Sequence, residues 1–336
     1  MAAHNARCTW SESCVNTPLH IVGRFDDPHT GAERSLPDLA DALRDRRPVF
    51  LWSDVPPHAF FVQRGVRPIQ AGEGASPHGG DLLVGGVHVQ LGGWLEQCAP
   101  ERVTLRYNLP NHLRLFEAVA RIRQATGHDP QLVFVSAALQ ASVGLPGRVE
   151  PSLIRLDPYL PAPVTRPERG ALRVGRVSRD VPGKHDPQDG AIYRMLAARG
   201  VEVRVMGGQC LLPALGGVPG ITLLAAGAQP VADFLVGLDI FFYRTGSFTE
   251  PYGRVVLEAM AAGLPVVVAA NGGYAEQITQ GTHGFLVRNQ DEALRALQAL
   301  VMSAELRHRI GAAARARALD LHGPKAFARI VDNYLR

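Results

Sequence analysis

Two glutamates, Glu250 and Glu258, stand eight positions apart in the stretch 248–265. Pro251 and Gly253 follow the first, a helical run carries the second, and Gly263 with Pro265 stops that run. Along one helix this spacing would be about 12 Å. Glu250 precedes the helix, which shortens the separation, but it is still wide for two carboxylates sharing one bond, which in glycosidases lie roughly 5 to 9.5 Å apart. The arrangement suits two acids that hold opposite ends of one elongated ligand, since a carboxylate accepts paired hydrogen bonds from vicinal hydroxyls. A sugar–diphosphate–nucleoside has a sugar at one end, a ribose at the other and phosphates between. The helix start between the two acids offers free N–H groups and partial positive charge to a phosphate.

These residues need elements to hold them. The short apolar runs 238–243 and 265–269 flank the stretch and have strand character, so the local order is strand, loop, helix, strand. The same order opens the chain. Residues 19–22 read as a strand, 23–34 as a loop, 35–46 as a helix in which Ser35 and Asp38 resemble a capping box, and 48–52 as the next strand. Residues 67–80, rich in Gly and Pro, read as a long loop, and 81–84, 102–107 and 131–135 as strands. Residues 110–126 read as a helix with Leu113, Phe116, Val119 and Ile122 on one face. Four prolines crowd the stretch 157–170 and mark a linker. Beyond it, 171–174, 201–205 and 223–224 read as strands, and 187–200, 291–301, 304–319 and 324–335 as helices. The expected division is a loose leader over 1–18, a first Rossmann-like domain over 19–157, a linker over 158–170 and a second Rossmann-like domain over 171–336.

Composition narrows the classes. A chain of 336 residues with 46% hydrophobic content fills two domains of about 150 residues each. A net charge of +4 suits anionic ligands or a peripheral contact with acidic lipid, and without a long Lys/Arg tract it gives no case for nucleic acid. Cys8, Cys14, Cys98 and Cys210 form no C-x-x-C pair and read as free thiols in a reducing compartment. No apolar run reaches the roughly 18 residues of a membrane span, and the polar start is unlike a signal peptide, so the expected location is cytoplasmic. Walker, G-x-G-x-x-G, H-E-x-x-H and G-x-S-x-G motifs are all missing from the sequence.

The run Glu250-Pro-Tyr-Gly253-Arg-Val-Val-Leu-Glu258-Ala-Met-Ala-Ala-Gly263-Leu-Pro265 resembles the Glu-seven-Glu motif of family-4 retaining glycosyltransferases of the GT-B fold. Asn271-Gly-Gly-Tyr274-Ala-Glu276-Gln-Ile278 and Gly281-Thr-His283-Gly-Phe-Leu-Val287 continue the pattern in register. The resemblance implies two Rossmann-like domains with a cleft between them and an α/β fold throughout, and it makes the first the acceptor domain and the second the donor domain. It implies that Glu250 lies beside the donor sugar, that Glu258 binds ribose hydroxyls, and that Thr30-Gly31-Ala32 is the first-domain loop that approaches the donor phosphates. Gly253, Arg254 and Val255 would present backbone N–H groups to sugar or phosphate.

Breaking a sugar–phosphate bond leaves negative charge on the diphosphate, which a metal or cationic groups must absorb. The sequence has no Asp-x-Asp, but it has Gly175-Arg176 and then Lys184, with Arg179 between them. The family pattern is Gly-Arg, a short loop, then Lys-Gly; here His185 follows the lysine and the loop is longer. Read alone this is a solvated charged loop; beside the Glu250 motif it reads as the diphosphate site, with Arg176 and Lys184 as its cations. For the family histidine of the first domain, either His112 serves from a shifted position, or His88 takes its place, or the role is absent, and the stretch before Glu250 reads Tyr243-Arg244-Thr245 in place of Pro-Ser. Arg244 is read either as a pocket residue or as a surface one. The expectation is therefore a metal-independent, retaining hexosyltransferase without a cofactor. It would use a UDP- or GDP-type sugar and an acceptor that is a glycan, a lipid-linked sugar or a small molecule. A nucleotide-sugar epimerase and a degenerate binding module are the alternatives.

Overall fold

A computed structural model describes residues 17–70, 74–160 and 170–335. Most of the expected leader and of the Pro-rich linker lies outside these residues. Two parallel sheets organise the rest. The first contains β1 (Leu19–Gly23), β2 (Val49–Ser53), β3 (Val66–Pro68), β4 (Asp81–Val84), β5 (Arg102–Tyr107), β6 (Gln131–Phe134) and β7 (Arg148–Val149), in the order β3-β2-β1-β4-β5-β6-β7. The second contains β8 (Arg173–Val177), β9 (Glu202–Met206), β10 (Ile221–Leu224), β11 (Ile240–Tyr243), β12 (Val266–Ala269) and β13 (Gly284–Val287), in the order β10-β9-β8-β11-β12-β13. Helices cover both faces, so central strands such as β11 and β12 are buried at every position, which is why they read as unbroken apolar runs. In each sheet the strand order reverses beside the first strand, and a ligand crevice forms outside the carboxyl ends at such a point.

The sequence expectations hold for most elements and shift at four places that matter for the site. The first helix spans Gly31–Leu43 rather than 35–46. Ser35 therefore lies inside the helix, its hydroxyl donating back to Ala32 O at 2.7 Å, and it caps nothing. Strand β8 runs to Val177, so Gly175 and Arg176 belong to the sheet and pair with Arg204 and Val205 of β9 instead of forming a loop. The stretch 67–80 contributes part of β3. Helix His112–Thr126 buries Leu115, Ala118 and Ile122, while Leu113 and Phe116 stay 70% and 52% exposed.

The last helix, Pro324–Asp332, leaves the second sheet and packs on the first domain. Ile330, Val331 and Tyr334 share a core with Leu36, Leu39 and Leu43. The Tyr334 hydroxyl donates to Glu150 Oε1 at 2.7 Å, and the Arg47 guanidinium donates to Tyr334 O at 2.5 Å. Residues assigned to the second domain by sequence thus end on the first.

Candidate active site

The carboxyl ends of the two sheets enclose a crevice of about 240 Å³. Its second-domain wall begins with the loop after β11. Glu250 accepts a hydrogen bond from the Tyr243 hydroxyl at 2.6 Å and an ion-paired bond from the Lys184 ammonium, both at Oε1. Lys184 ends a short 3-10 turn, Pro182–Lys184, and its Nζ lies 3.5 Å from the centre of the Phe248 ring. Burial pulls the lysine pKa below its ordinary value, with Glu250 opposing that shift.

Behind Glu250 the chain turns through Gly253, at φ +75°, into helix Arg254–Ala261. A Cβ at Gly253 would sit 2.3 Å from Cδ1 of Tyr274, so the residue is fixed both by its backbone and by its neighbour. The amides of Arg254 and Val255 lie in the first turn, where no intrahelical carbonyl can reach them. Glu258, one turn on, is 5% exposed, lines the crevice and lies 3.8 Å from Arg254 Nε. The turn 271–276 braces this wall: the Gly273 amide donates to Glu250 O at 2.8 Å. The Glu276 carboxylate reaches across to accept from the amides of Ala137 and Ala138 at 3.1 and 2.5 Å.

The first-domain wall contains Thr30 and Gly31, as expected, and also His29 and Asn108. The Thr30 hydroxyl is taken by Asp27 Oδ2 at 3.1 Å. Gly31 makes room for a second-domain side chain: a Cβ there would lie 2.8 Å from Cδ of Arg254. The Arg254 guanidinium passes over it to donate to Leu153 O and lies 3.9 Å from Asp38. Asn108 is held by a hydrogen bond from its amide to Gly85 O at 2.8 Å.

Two sequence expectations need correction, and the histidine alternatives can be narrowed. Arg176 does not face the crevice. It is fully buried, because it belongs to β8; its guanidinium donates to Arg244 O at 2.8 Å and to Lys184 O, and it lies 4.5 Å from the centre of the Tyr243 ring. It supports the two residues that touch Glu250 and is not a free diphosphate cation; Arg179, Lys184 and Arg254 are the cations lining the second-domain wall, with Arg34 on the first. Arg244 is not a pocket residue either. It is 4% exposed and paired with Asp186 and, at 3.5 Å, with Asp189. Burial raises the Asp189 pKa to about 7 against the pull of both arginines. Neither His112, exposed at the start of its helix, nor His88 lines the crevice. Sequence reasoning missed Tyr243, Phe248, Asn108 and His29. A polar-tipped aromatic at the carboxyl end of a parallel strand was the available signal for Tyr243. Among the described residues no group of three His, Cys, Asp or Glu is placed to hold a metal ion.

Comparison with known proteins places this geometry. The family described as Glycosyl transferases group 1 matches residues 224–317, a segment that includes both crevice glutamates. The D-inositol 3-phosphate glycosyltransferase of Streptomyces griseus is 41% identical over 90 residues, covering 26% of this chain and 19% of that protein. Across that protein, the spore coat protein SA of Bacillus subtilis and the D-inositol 3-phosphate glycosyltransferase of Stackebrandtia nassauensis, the match spans only 16% to 25% of their own length. Solved structures agree over nearly the whole chain. HepE of Anabaena, in complex with UDP-glucose, superposes with a TM-score of 0.71 at 19% identity, covering 95% of this chain and 99% of that one. Sucrose-phosphate synthase of Thermosynechococcus elongatus gives 0.71 at 16%, covering 95% and 98%. In fold the chain is a GT-B protein, and its residues 224–317 match the group 1 glycosyl transferases, so over this segment it is family-4-like.

Proposed function

We propose that this chain is a retaining glycosyltransferase. It moves a hexose-type sugar from a UDP- or GDP-type donor to an acceptor hydroxyl, without a metal or other cofactor. The observation that carries this reading is the joint placement of Glu250, Lys184 and Glu258 on one crevice wall, inside and beside the segment shared with the group 1 family. Two carboxylates and a lysine on one wall suit a ligand with hydroxyls at both ends and phosphates between, and HepE, of the same fold, was solved with UDP-glucose.

In this reading Glu250 positions the donor sugar and Glu258 takes the ribose hydroxyls. The acceptor oxygen attacks the anomeric carbon on the face the leaving group departs from. The bond from that carbon to the phosphate oxygen breaks, and the departing diphosphate oxygen takes the acceptor proton. Lys184, Arg179 and the first-turn amides of Arg254 and Val255 absorb the charge that develops on the diphosphate. Arg176 acts one step back, fixing the Lys184 carbonyl and the Tyr243 ring. The reaction is assigned to the cytoplasm, and with a lipid-linked acceptor the chain would touch the membrane only at its surface. No helix among the described residues is long and apolar enough to cross one.

Calorimetry and turnover with UDP- and GDP-sugars, in the presence of a chelator and a panel of glycan, lipid-linked and small-molecule acceptors, test the proposal. The expected result is tight binding of one nucleoside diphosphate and transfer with the anomeric configuration kept. Epimerised donor formed without acceptor, or binding without any turnover, would overturn it in favour of an epimerase or a binding module.

A further inference from the structure

We propose that Tyr243 is a positioning residue that keeps Glu250 aimed at the donor sugar when Lys184 leaves it for the diphosphate. The inference rests on the donor reading above and adds to it a division of labour around a single carboxylate oxygen.

Glu250 Oε1 accepts from both the Tyr243 hydroxyl and the Lys184 ammonium. An entering diphosphate competes for one of these two donors. Lys184 is the one able to move, since its charge sits on a flexible stem of four carbons. Tyr243 is not. It ends β11, is 1% exposed, and its ring has neighbours on several sides. The Arg176 guanidinium lies 4.5 Å from the ring centre, Phe241 stacks at 6.0 Å, and Tyr274 meets it edge-on at 6.2 Å. The hydroxyl is therefore aimed from a rigid sheet, which holds a functional group more closely than a loop does. Once the lysine moves, the phenol alone continues to orient Oε1, leaving the second carboxylate oxygen for a sugar hydroxyl.

The test is Y243F, which keeps the ring and its contact with Arg176 and removes one proton donor. Calorimetry compares the free nucleoside diphosphate with its sugar conjugate on wild type, Y243F, E250Q and the double variant. The free diphosphate should bind Y243F within about twofold of wild type, while the extra affinity contributed by the sugar falls about tenfold. E250Q should show the same selective loss, and the double variant little beyond it. Unchanged binding of both ligands to Y243F, or an equal loss for both, would overturn the inference. A wild type that binds no nucleoside diphosphate at all would instead remove the donor reading, and this inference with it.

Discussion

The two walls of the crevice are built differently. The second-domain wall gathers its charged groups from two short stretches, 179–184 and 243–258, each carried on the end of a central strand and each packed onto a buried support. The first-domain wall offers one cation, Arg34, beside His29, a hydroxyl already bonded to Asp27, a glycine and an asparagine held by its own sheet. The links between the walls start on the second domain and end on groups of the first: Arg254 on Leu153 O, Glu276 on the amides of Ala137 and Ala138. One wall is a receptor packed onto buried supports, and the other is tied to it through contacts that end on backbone groups of the first domain.

The largest effect should come from disturbing the receptor wall at its tightest point. G253A would place a methyl 2.3 Å from the Tyr274 ring at a positive φ. Nucleotide binding should fall by about a hundredfold or more and the protein should lose ~1–3 kcal/mol of stability, measured by calorimetry and urea denaturation. Wild-type affinity in G253A would show that the wall is far softer than described. On the other domain, helix His112–Thr126 gives a matched pair of tests. L115A removes a buried side chain and should cost about 2–5 kcal/mol, whereas F116A, on the exposed face, should stay within about 0.5 kcal/mol. Reversed costs would put the helix on its other face.

A pH experiment separates the walls more gently. His322, at the end of helix Ala304–His322, meets the Tyr252 hydroxyl at 2.8 Å, directly behind the receptor wall. Burial lowers its pKa from 6.5 to about 3. The unfolded chain therefore binds more protons than the folded one between those values. Stability is complete above pH 6.5 and falls as pH drops, by about 2 kcal/mol for this histidine at pH 5. H322Q should flatten that part of the urea-denaturation profile, and hydrogen exchange in 250–258 should rise on acidification before exchange in the first sheet does. An unchanged slope in H322Q would remove the histidine as the cause.

Much of the receptor wall was legible because it is local. Glu250, Gly253 and Glu258 lie within nine residues, and each carries a recognisable reason for its type. Arg176 was misplaced for an equally local reason. A glycine followed by a charged residue reads as a loop, but β8 continues through both, and Gly175 is small because a Cβ would meet Leu238 at 2.6 Å. Ser35 and Asp38 imitate a capping box, and so hid the true beginning at Gly31. In helix His112–Thr126 apolar residues occupy two faces, and periodicity cannot say which of them the sheet will cover. The links from Arg254 to Leu153 and from Tyr334 to Glu150 join residues 101 and 184 positions apart, and no spacing rule reaches that far.

The central claim is that the Glu250–Glu258 wall holds both ends of a nucleoside-diphosphate sugar. Titrating wild type and E258A with the free nucleoside diphosphate tests it most directly. Loss of the carboxylate proposed to face the ribose should weaken binding at least about tenfold, with the folded state intact by circular dichroism. Equal affinity in the two proteins would contradict the account.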